Sequence, residues 1–193
     1  MDAPGADLFV FDFDGTLVDS AAAKRQAFYD LFPSDCAAAV TAVLQRDPDG
    51  SRHALIPEMI CESGRAGLDA SALVTAFGEG VRRRVTAASA VEGAEAALAW
   101  AARRGTACVF SMTPHEELQV AIVRRRWMRY LAGAWGYPNQ KPKVLSDLME
   151  RYGAAPDRAI AIGDGVSDEE AARRNGCRWL KAEAGWPDRL MRM

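Results

Sequence analysis

Apolar runs that predict buried strands recur along the chain. Residues 8–11 form a short run of bulky apolar side chains, as expected of a strand that is buried on both faces. Similar runs end at Ser111 and at Gly163, and residues 177–181 are predicted to form a final strand. Polar or glycine-containing segments follow the first three runs, so functional side chains are expected at the carboxyl ends of these strands.

The segment from Asp19 to about Ser89 differs, because its apolar positions follow helical spacing throughout. Four helices are predicted here, at residues 21–32, 35–46, 52–62 and 70–87. A further helix at residues 94–104 leads into the strand that ends at Ser111. The pattern indicates a helical insertion between the first two strands, with chain crossings near residues 18–21 and 88–93.

Two aspartates end the first strand. Asp12 and Asp14 precede Gly15, a residue that lets the chain turn at once. In open α/β sheets, ligands bind outside the carboxyl ends of the strands, where these side chains would lie. Adjacent carboxylates repel each other, and a hard cation such as Mg²⁺ is the usual reason for holding them together. The alternative is an ordinary turn, since Asp-Gly is a common turn dipeptide.

The second strand ends in hydroxyl groups. Thr113 is predicted to cap the following helix, with Pro114 at the first helical position and Glu116 completing a capping box. The N–H groups at a helix start favour an anion, so Ser111 is a candidate donor to a phosphate oxygen. A strand-end serine without such a role is the alternative.

Lys141 precedes a helix that ends at Gly153. A cation at the start of a helix opposes the helix dipole, and a phosphate to be neutralised would explain its position. A solvated lysine is the alternative.

Asp164 lies between two glycines at the end of another buried strand. A third carboxylate at the same edge of the sheet would complete an oxygen site for Mg²⁺. Ser167 is predicted to cap the next helix with Glu170 as its partner, and stabilisation of that helix start is the simpler role for Asp168.

Together these four motifs, in this order, resemble those of the haloacid dehalogenase superfamily of phosphohydrolases, and among them the phosphoglycolate-phosphatase-like members with a small helical cap. The resemblance rests on Asp12-Phe13-Asp14-Gly15-Thr16, Ser111, Lys141-Pro142 and Gly163-Asp164-Gly165-Val166-Ser167-Asp168. It implies an α/β fold with a Rossmann-like parallel sheet flanked by helices. Residues 1–18 and 89–193 would form this core, and residues 19–88 the cap.

The resemblance also implies a role for each motif residue. Asp12 would be the nucleophile that takes the phosphoryl group, and Asp14 the general acid and then the base. Ser111 and Lys141 would hold the phosphoryl oxygens. The Mg²⁺ ligands would be Asp12, the backbone carbonyl of Asp14 and Asp164, and Asp168 would ligate the ion or orient its waters. Family members that cleave carbon–halogen bonds lack an acid at the position of Asp14, so a dehalogenase is not expected.

The predicted activity is Mg²⁺-dependent hydrolysis of a small phosphorylated metabolite through an aspartyl-phosphate. Two alternatives stay open, a phosphomutase or phosphotransferase with the same residues and a non-catalytic binding protein with the same fold. Substrate contacts are predicted from Lys24 and Arg52, with Arg25 and His53 as further candidates in the cap. Met112 replaces a small polar or glycine residue that relatives often have, and it is expected to pack under the cap or into the core.

Composition and net charge indicate which kinds of binding partner are not expected. Hydrophobic residues make up 49% of the 193 positions, enough for a core, and a net charge of −2 attracts neither nucleic acid nor an anionic membrane. Neither a signal-peptide pattern nor a membrane-length apolar run is recognised, and four scattered cysteines show no zinc or disulfide spacing. The sequence therefore predicts a cytoplasmic protein and leaves its oligomeric state open.

Overall fold

The computed structural model describes residues 7–47 and 51–193 of the chain. The contacts divide the chain into two units. One, which we call the core unit, combines residues 1–19 with residues 86–193, and the other, the helical unit, is Ser20–Val85.

The helical unit is built from helices that share one apolar cluster. They are α1 (Ser20–Asp30), α2 (Ala37–Arg46), α3 (Arg52–Glu62) and α4 (Ala70–Ala87). Phe28 on α1 and Phe77 on α4 lie with their ring centroids 4.3 Å apart. Arg46 at the end of α2 pairs with Glu58 and Glu62 on one side of α3, which joins these two helices on the solvent side. The helices of this unit lie close to their predicted positions, and α3 and α4 have the predicted bounds.

A five-stranded parallel sheet forms the centre of the core unit. Its strands, in the spatial order β3-β2-β1-β4-β5, are β1 (Asp7–Phe11), β2 (Gly105–Pro114), β3 (Gly133–Tyr137), β4 (Ala159–Gly163) and β5 (Arg178–Lys181). In the middle of β1, Val10 pairs with Cys108 of β2 on one side and with Ala161 of β4 on the other. Because all strands are parallel, their carboxyl ends lie at one edge. The predicted α/β fold with a Rossmann-like sheet is confirmed.

Helices cover both faces of this sheet. They are α5 (Ala94–Arg104), α6 (His115–Arg124), α7 (Lys141–Tyr152), α8 (Val166–Asn175) and α9 (Trp186–Met191). Leu8 and Val10 point into a cluster with α7 and α8. Phe9 and Phe11 point the other way, against Trp100 of α5 and Trp186 of α9. The alternation explains why every position of residues 8–11 is apolar.

Two elements of the core unit were not predicted, β3 and α9. The five residues of β3 include Gly133 and Gly136, which have low strand propensity. Gly136 is needed because a Cβ there would lie 2.4 Å from the carbonyl oxygen of Thr113. Close approach of β3 to the end of β2 therefore removes the side chain that would have marked the strand.

The two chain crossings between the units are hydrogen-bonded to each other. Asp19 N donates to Ser89 O at 2.9 Å, and Val91 N donates to Leu17 O at 3.0 Å. Trp186 of α9 supports the turn that follows β1, because its indole N–H donates a hydrogen bond of 3.2 Å to Thr16 O.

Within the described residues, we find no single helix with the length and apolarity to cross a membrane. A sharply bent pair, Ala22–Asp30 with Ser34–Arg46, meets the length and composition limits when the two are taken together.

Candidate active site

The central strand and its neighbours bring three of the predicted side chains to one edge of the sheet. Asp12 follows β1, Ser111 lies near the end of β2, and Asp164 follows β4. Asp12 N donates to Ile162 O at 2.7 Å, so pairing with β4 continues one residue beyond β1. Parallel pairing thus assembles residues that are distant in the sequence.

Three carboxylates form a cluster at this edge. Asp12, Asp164 and Asp168 each offer an oxygen atom, and these atoms lie within 4.8 Å of one another. Asp12 and Asp168 are buried, whereas Asp164 is exposed. Oxygen ligands at this spacing suit a hard divalent cation.

Two glycines make room for the carboxylates. Gly15 has φ of 76°, and a Cβ at this position would lie 2.1 Å from Asp164 Oδ2. A Cβ at Gly163 would lie 2.1 Å from the carboxyl carbon of Asp168. Both contacts are far too short for real atoms, so any side chain at either position would displace a member of the cluster.

Lys141 lies between two of the carboxylates. Its Nζ is 2.9 Å from Asp12 Oδ1 and 2.6 Å from Asp168 Oδ1. The residue starts α7, with Pro142 next to it in the first turn, and only 4% of its side chain is exposed. The alternative of a solvated lysine is therefore wrong.

Burial and charge shift the pKa values of this group in ways that can be separated. Burial raises the pKa of Asp12 to about 8, and the positive charge of Lys141 opposes this shift only in part. For Lys141, burial favours the neutral amine, but Asp12 and Asp168 outweigh it and hold the pKa above its ordinary value. A further positive charge beside Asp12 would lower the pKa of this carboxyl and favour its ionised form.

Asp168 has two partners. One oxygen binds Lys141, and the other accepts a hydrogen bond of 3.1 Å from Gly165 N at the start of α8. Its stabilisation of the helix start therefore coexists with its place in the cluster. The predicted Ser167 cap is wrong, because α8 already starts at Val166 and the exposed Ser167 lies inside its first turn.

Ser111 is buried at the end of β2, and its Oγ accepts a hydrogen bond of 3.0 Å from Thr113 N. Met112 between them is half exposed, with 51% of its surface accessible. The expectation that Met112 packs into the core is therefore wrong.

Asp14 is hydrogen-bonded to Thr113, which was predicted to cap a helix. Thr113 Oγ1 donates a hydrogen bond of 2.5 Å to Asp14 Oδ2. The predicted Thr113 cap is wrong, because β2 continues through Pro114 and α6 starts only at His115. No sequence signal marked this contact, because the register of β2 is irregular between Phe110 and Pro114.

Arg125 is a second residue that the motifs did not reveal. Its guanidinium lies 5.7 Å from the ring centre of Phe13 and 5.5 Å from that of Trp127, and it donates a hydrogen bond of 2.6 Å to Ala88 O. Burial lowers the pKa of Arg125, and the charge of Asp14 opposes this shift. Arg125 therefore lies within electrostatic reach of Asp14.

The predicted substrate contacts belong to the helical unit. Lys24 and Arg25 lie on α1, and Arg52 and His53 start α3. All four are exposed. Their role in binding stays a prediction.

Comparison with known proteins identifies the family. The sequence pattern of haloacid dehalogenase-like hydrolases matches residues 6–176. Phosphoglycolate phosphatase 1 of Pseudomonas aeruginosa is 26% identical in an alignment of 190 positions that covers 93% of this chain and 70% of that protein.

Solved structures show the same fold. A protein of Lactobacillus plantarum, provisionally named phosphoglycolate phosphatase, superposes with a TM-score of 0.65 at 20% identity, covering 96% of this chain and 89% of that chain. A provisionally named β-phosphoglucomutase of Thermotoga maritima superposes with a TM-score of 0.69 at 16% identity, covering 96% and 97%. With the profile match across most of its length, the chain belongs to the haloacid dehalogenase-like hydrolase family and is an enzyme of that family.

Proposed function

We propose that the protein is a Mg²⁺-dependent phosphatase that hydrolyses a small phosphate monoester through an aspartyl-phosphate on Asp12. The observation that carries this proposal is the buried Asp12 carboxylate, 2.9 Å from Lys141 and clustered with Asp164 and Asp168. Positioning and neutralisation of charge are the main demands of phosphoryl transfer. Such a site serves both.

The reaction would proceed in two steps. In the first, an Asp12 oxygen bonds to phosphorus while the ester P–O bond breaks, and Asp14 gives a proton to the leaving oxygen. In the second, Asp14 takes a proton from water, the water oxygen bonds to phosphorus, and the bond to Asp12 breaks. Ser111 and Lys141 would hold the phosphoryl oxygens during both steps.

The carboxylate cluster fits a divalent cation. Asp12, Asp164 and Asp168 would hold Mg²⁺ together with the backbone carbonyl of Asp14. When bound, the ion supplies positive charge that favours ionised Asp12 and offsets the charge of the phosphoryl group. Burial raises the pKa of Asp12 to about 8 and the charges of Asp168 and Asp14 add to this shift, so a further positive charge would favour the ionised nucleophile.

The helical unit is proposed to act as the cap and to supply contacts to the leaving group. Lys24 and Arg52 are the candidate residues, because cations suit an anionic metabolite. Phosphoglycolate is the first substrate to try, since the relative in Pseudomonas aeruginosa is named for it.

Phosphate release tests the proposal. Purified protein is assayed with phosphoglycolate, p-nitrophenyl phosphate and a panel of phosphorylated metabolites, with Mg²⁺ or with EDTA. We expect release that depends on Mg²⁺ and is lost in Asp12→Asn, but not in the control Asp157→Asn at an exposed position of the core unit. Equal activity of the wild type and Asp12→Asn would refute it, as would activity that EDTA leaves unchanged.

Product analysis separates the phosphatase from the phosphomutase alternative. A phosphatase releases inorganic phosphate in proportion to the substrate consumed. A mutase yields an isomer of a sugar phosphate with little free phosphate, and this result would replace the proposed activity with phosphoryl transfer to a sugar.

A further inference from the structure

The hydroxyl of Thr113 touches the group that moves protons in the proposed reaction. Thr113 Oγ1 lies 2.5 Å from Asp14 Oδ2 and donates to it. We propose that Thr113 is a positioning residue that fixes the Asp14 carboxyl through Oδ2, so that Oδ1 delivers the proton to the leaving oxygen. This inference rests on the proposed phosphatase function.

An irregularity of β2 directs Thr113 toward Asp14. Phe110 pairs with Trp135 of β3 and Pro114 with Tyr137, so four steps along β2 match only two along β3. The extra length falls on residues 111–113. Bulges of this kind redirect side chains and are frequent next to active sites. The bulge therefore explains how a residue just before α6 reaches a side chain beyond the end of β1.

The two oxygens of Asp14 have different surroundings. Oδ2 accepts the Thr113 hydrogen bond, whereas Oδ1 is buried and has no hydrogen-bond partner among the described residues. The backbone around Asp14 is itself held, because Gly15 N donates to Val18 O and Val18 N donates to Phe13 O, both at 3.0 Å. Rotation of the carboxyl is thus the motion that Thr113 restrains.

The division between the oxygens has a chemical consequence. While the Thr113 hydroxyl donates to Oδ2, the proton for transfer is carried by Oδ1. During the first step this proton passes to the ester oxygen as the P–O bond breaks and the Asp12–phosphorus bond forms. Water later returns a proton to Oδ1 as phosphate leaves Asp12. A carboxyl that rotates freely would present this oxygen only part of the time.

The leaving group provides the test. An alkyl phosphate such as phosphoglycolate needs the proton, whereas p-nitrophenolate leaves without one. We expect Thr113→Val to lower kcat/KM for the alkyl ester by about 10- to 100-fold and for p-nitrophenyl phosphate by less than about threefold. Thr113→Ser, which keeps the hydroxyl, should restore most of the lost activity. Thr106→Val makes the same change at the opposite end of β2 and serves as the matched control.

A double-mutant cycle separates positioning from packing. In an Asp14→Asn background, Thr113→Val should cause no further loss with the alkyl ester, because the restrained acid is gone. Three results would each overturn the role of Thr113 but leave the phosphatase function standing. They are equal losses for both esters, a full further loss in the Asp14→Asn background, and failure of Thr113→Ser to restore activity. Wild-type protein that hydrolyses neither ester would overturn the phosphatase function and this inference with it.

Discussion

At the scale of single residues, the Asp12 carboxylate lies where water cannot stabilise its charge. Burial raises its pKa to about 8, so the folded protein binds this proton more tightly than the unfolded chain does. The stability that follows from this difference is complete below the unfolded pKa of about 4 and is lost as the pH rises through about 8. An ionised nucleophile is therefore obtained at a cost in stability.

Asp12→Asn should stabilise the metal-free protein at pH 8. The variant removes a buried charge that Asp168 and Asp14 disfavour, and Lys141 keeps Asp168 as its partner. In EDTA, we expect a thermal midpoint a few °C above that of the wild type, with the difference growing between pH 4 and pH 8. Thermal unfolding followed by circular dichroism measures it. The exposed control Asp157→Asn should change little, and a lower midpoint for Asp12→Asn at pH 8 would contradict the account.

Gly15→Ala should damage the cation site in particular. The new methyl group would overlap Asp164 Oδ2, in addition to the strain of φ at 76°. Gly153→Ala is a matched control, because Gly153 has φ of 61° but no atom within 4 Å of its Cβ position. Both variants should lose about 1–2 kcal/mol from backbone strain. Only Gly15→Ala should raise the Mg²⁺ concentration needed for half-maximal phosphate release, by about tenfold or more, the effect of losing one charged contact. Equal Mg²⁺ requirements in the two variants would count against the site.

At the scale of elements, the start of α7 places a positive charge inside the protein. Lys141 is buried between Asp12 and Asp168, whereas Lys143, two residues later, is 73% exposed and pairs with Asp147. The same helix turn therefore offers a buried and an exposed lysine for comparison.

Lys141→Gln should abolish phosphate release and destabilise the protein by about 3–5 kcal/mol, because removal of the lysine leaves the buried Asp168 carboxylate without its charged partner. Lys143→Gln should cost less than about 1 kcal/mol, as for other surface ion pairs. Chemical denaturation at pH 7 gives both values. Similar small losses in the two variants would show that the buried ion pairs contribute little to folding.

The sequence correctly predicted the strand ends at Asp12 and Asp164, where an apolar run stops at a polar or glycine residue. At Ser111 the same rule was wrong, because β2 continues to Pro114. The contact of Thr113 with Asp14 was not predicted, because it depends on the bulge in β2. A bulge produces no periodic pattern in the sequence. The capping pattern of Thr113, Pro114 and Glu116 instead predicted that Thr113 caps a helix. The strand β3 was not predicted, because its close packing against β2 requires glycines. Glycine is rare inside strands, so residue propensities do not indicate a strand at this place.

At the scale of the whole molecule, the fold joins side chains that are about 150 residues apart in the sequence. Parallel pairing of β1 with β4 brings Asp12 to Asp164 and Asp168. The four ordered motifs were enough to predict this assembly, because Asp12, Ser111 and Asp164 lie at or near the carboxyl ends of strands in one sheet. Lys141 starts the helix α7 instead. Substrate contacts from the helical unit depend on loop geometry, which periodicity does not determine.

Arg52→Gln should weaken substrate binding if the helical unit is the cap. We expect KM for phosphoglycolate to rise about tenfold, the effect of losing one charged hydrogen bond, with little change in kcat. Arg65→Gln is a matched control in the same unit, where Arg65 pairs with Asp35 on the surface. Steady-state kinetics measure both. An unchanged KM in Arg52→Gln and also in Lys24→Gln would remove these residues from the binding site.

The proposed mechanism requires a phosphoryl group on Asp12, and acid quenching during turnover detects it directly. With labelled p-nitrophenyl phosphate and Mg²⁺, we expect label on the peptide that contains Asp12 in the wild type. More label should accumulate in Asp14→Asn, because p-nitrophenolate leaves without a proton while attack by water needs the base. No label should appear in Asp12→Asn. Label that persists in Asp12→Asn, or a wild type that turns over without any labelled protein, would contradict the account.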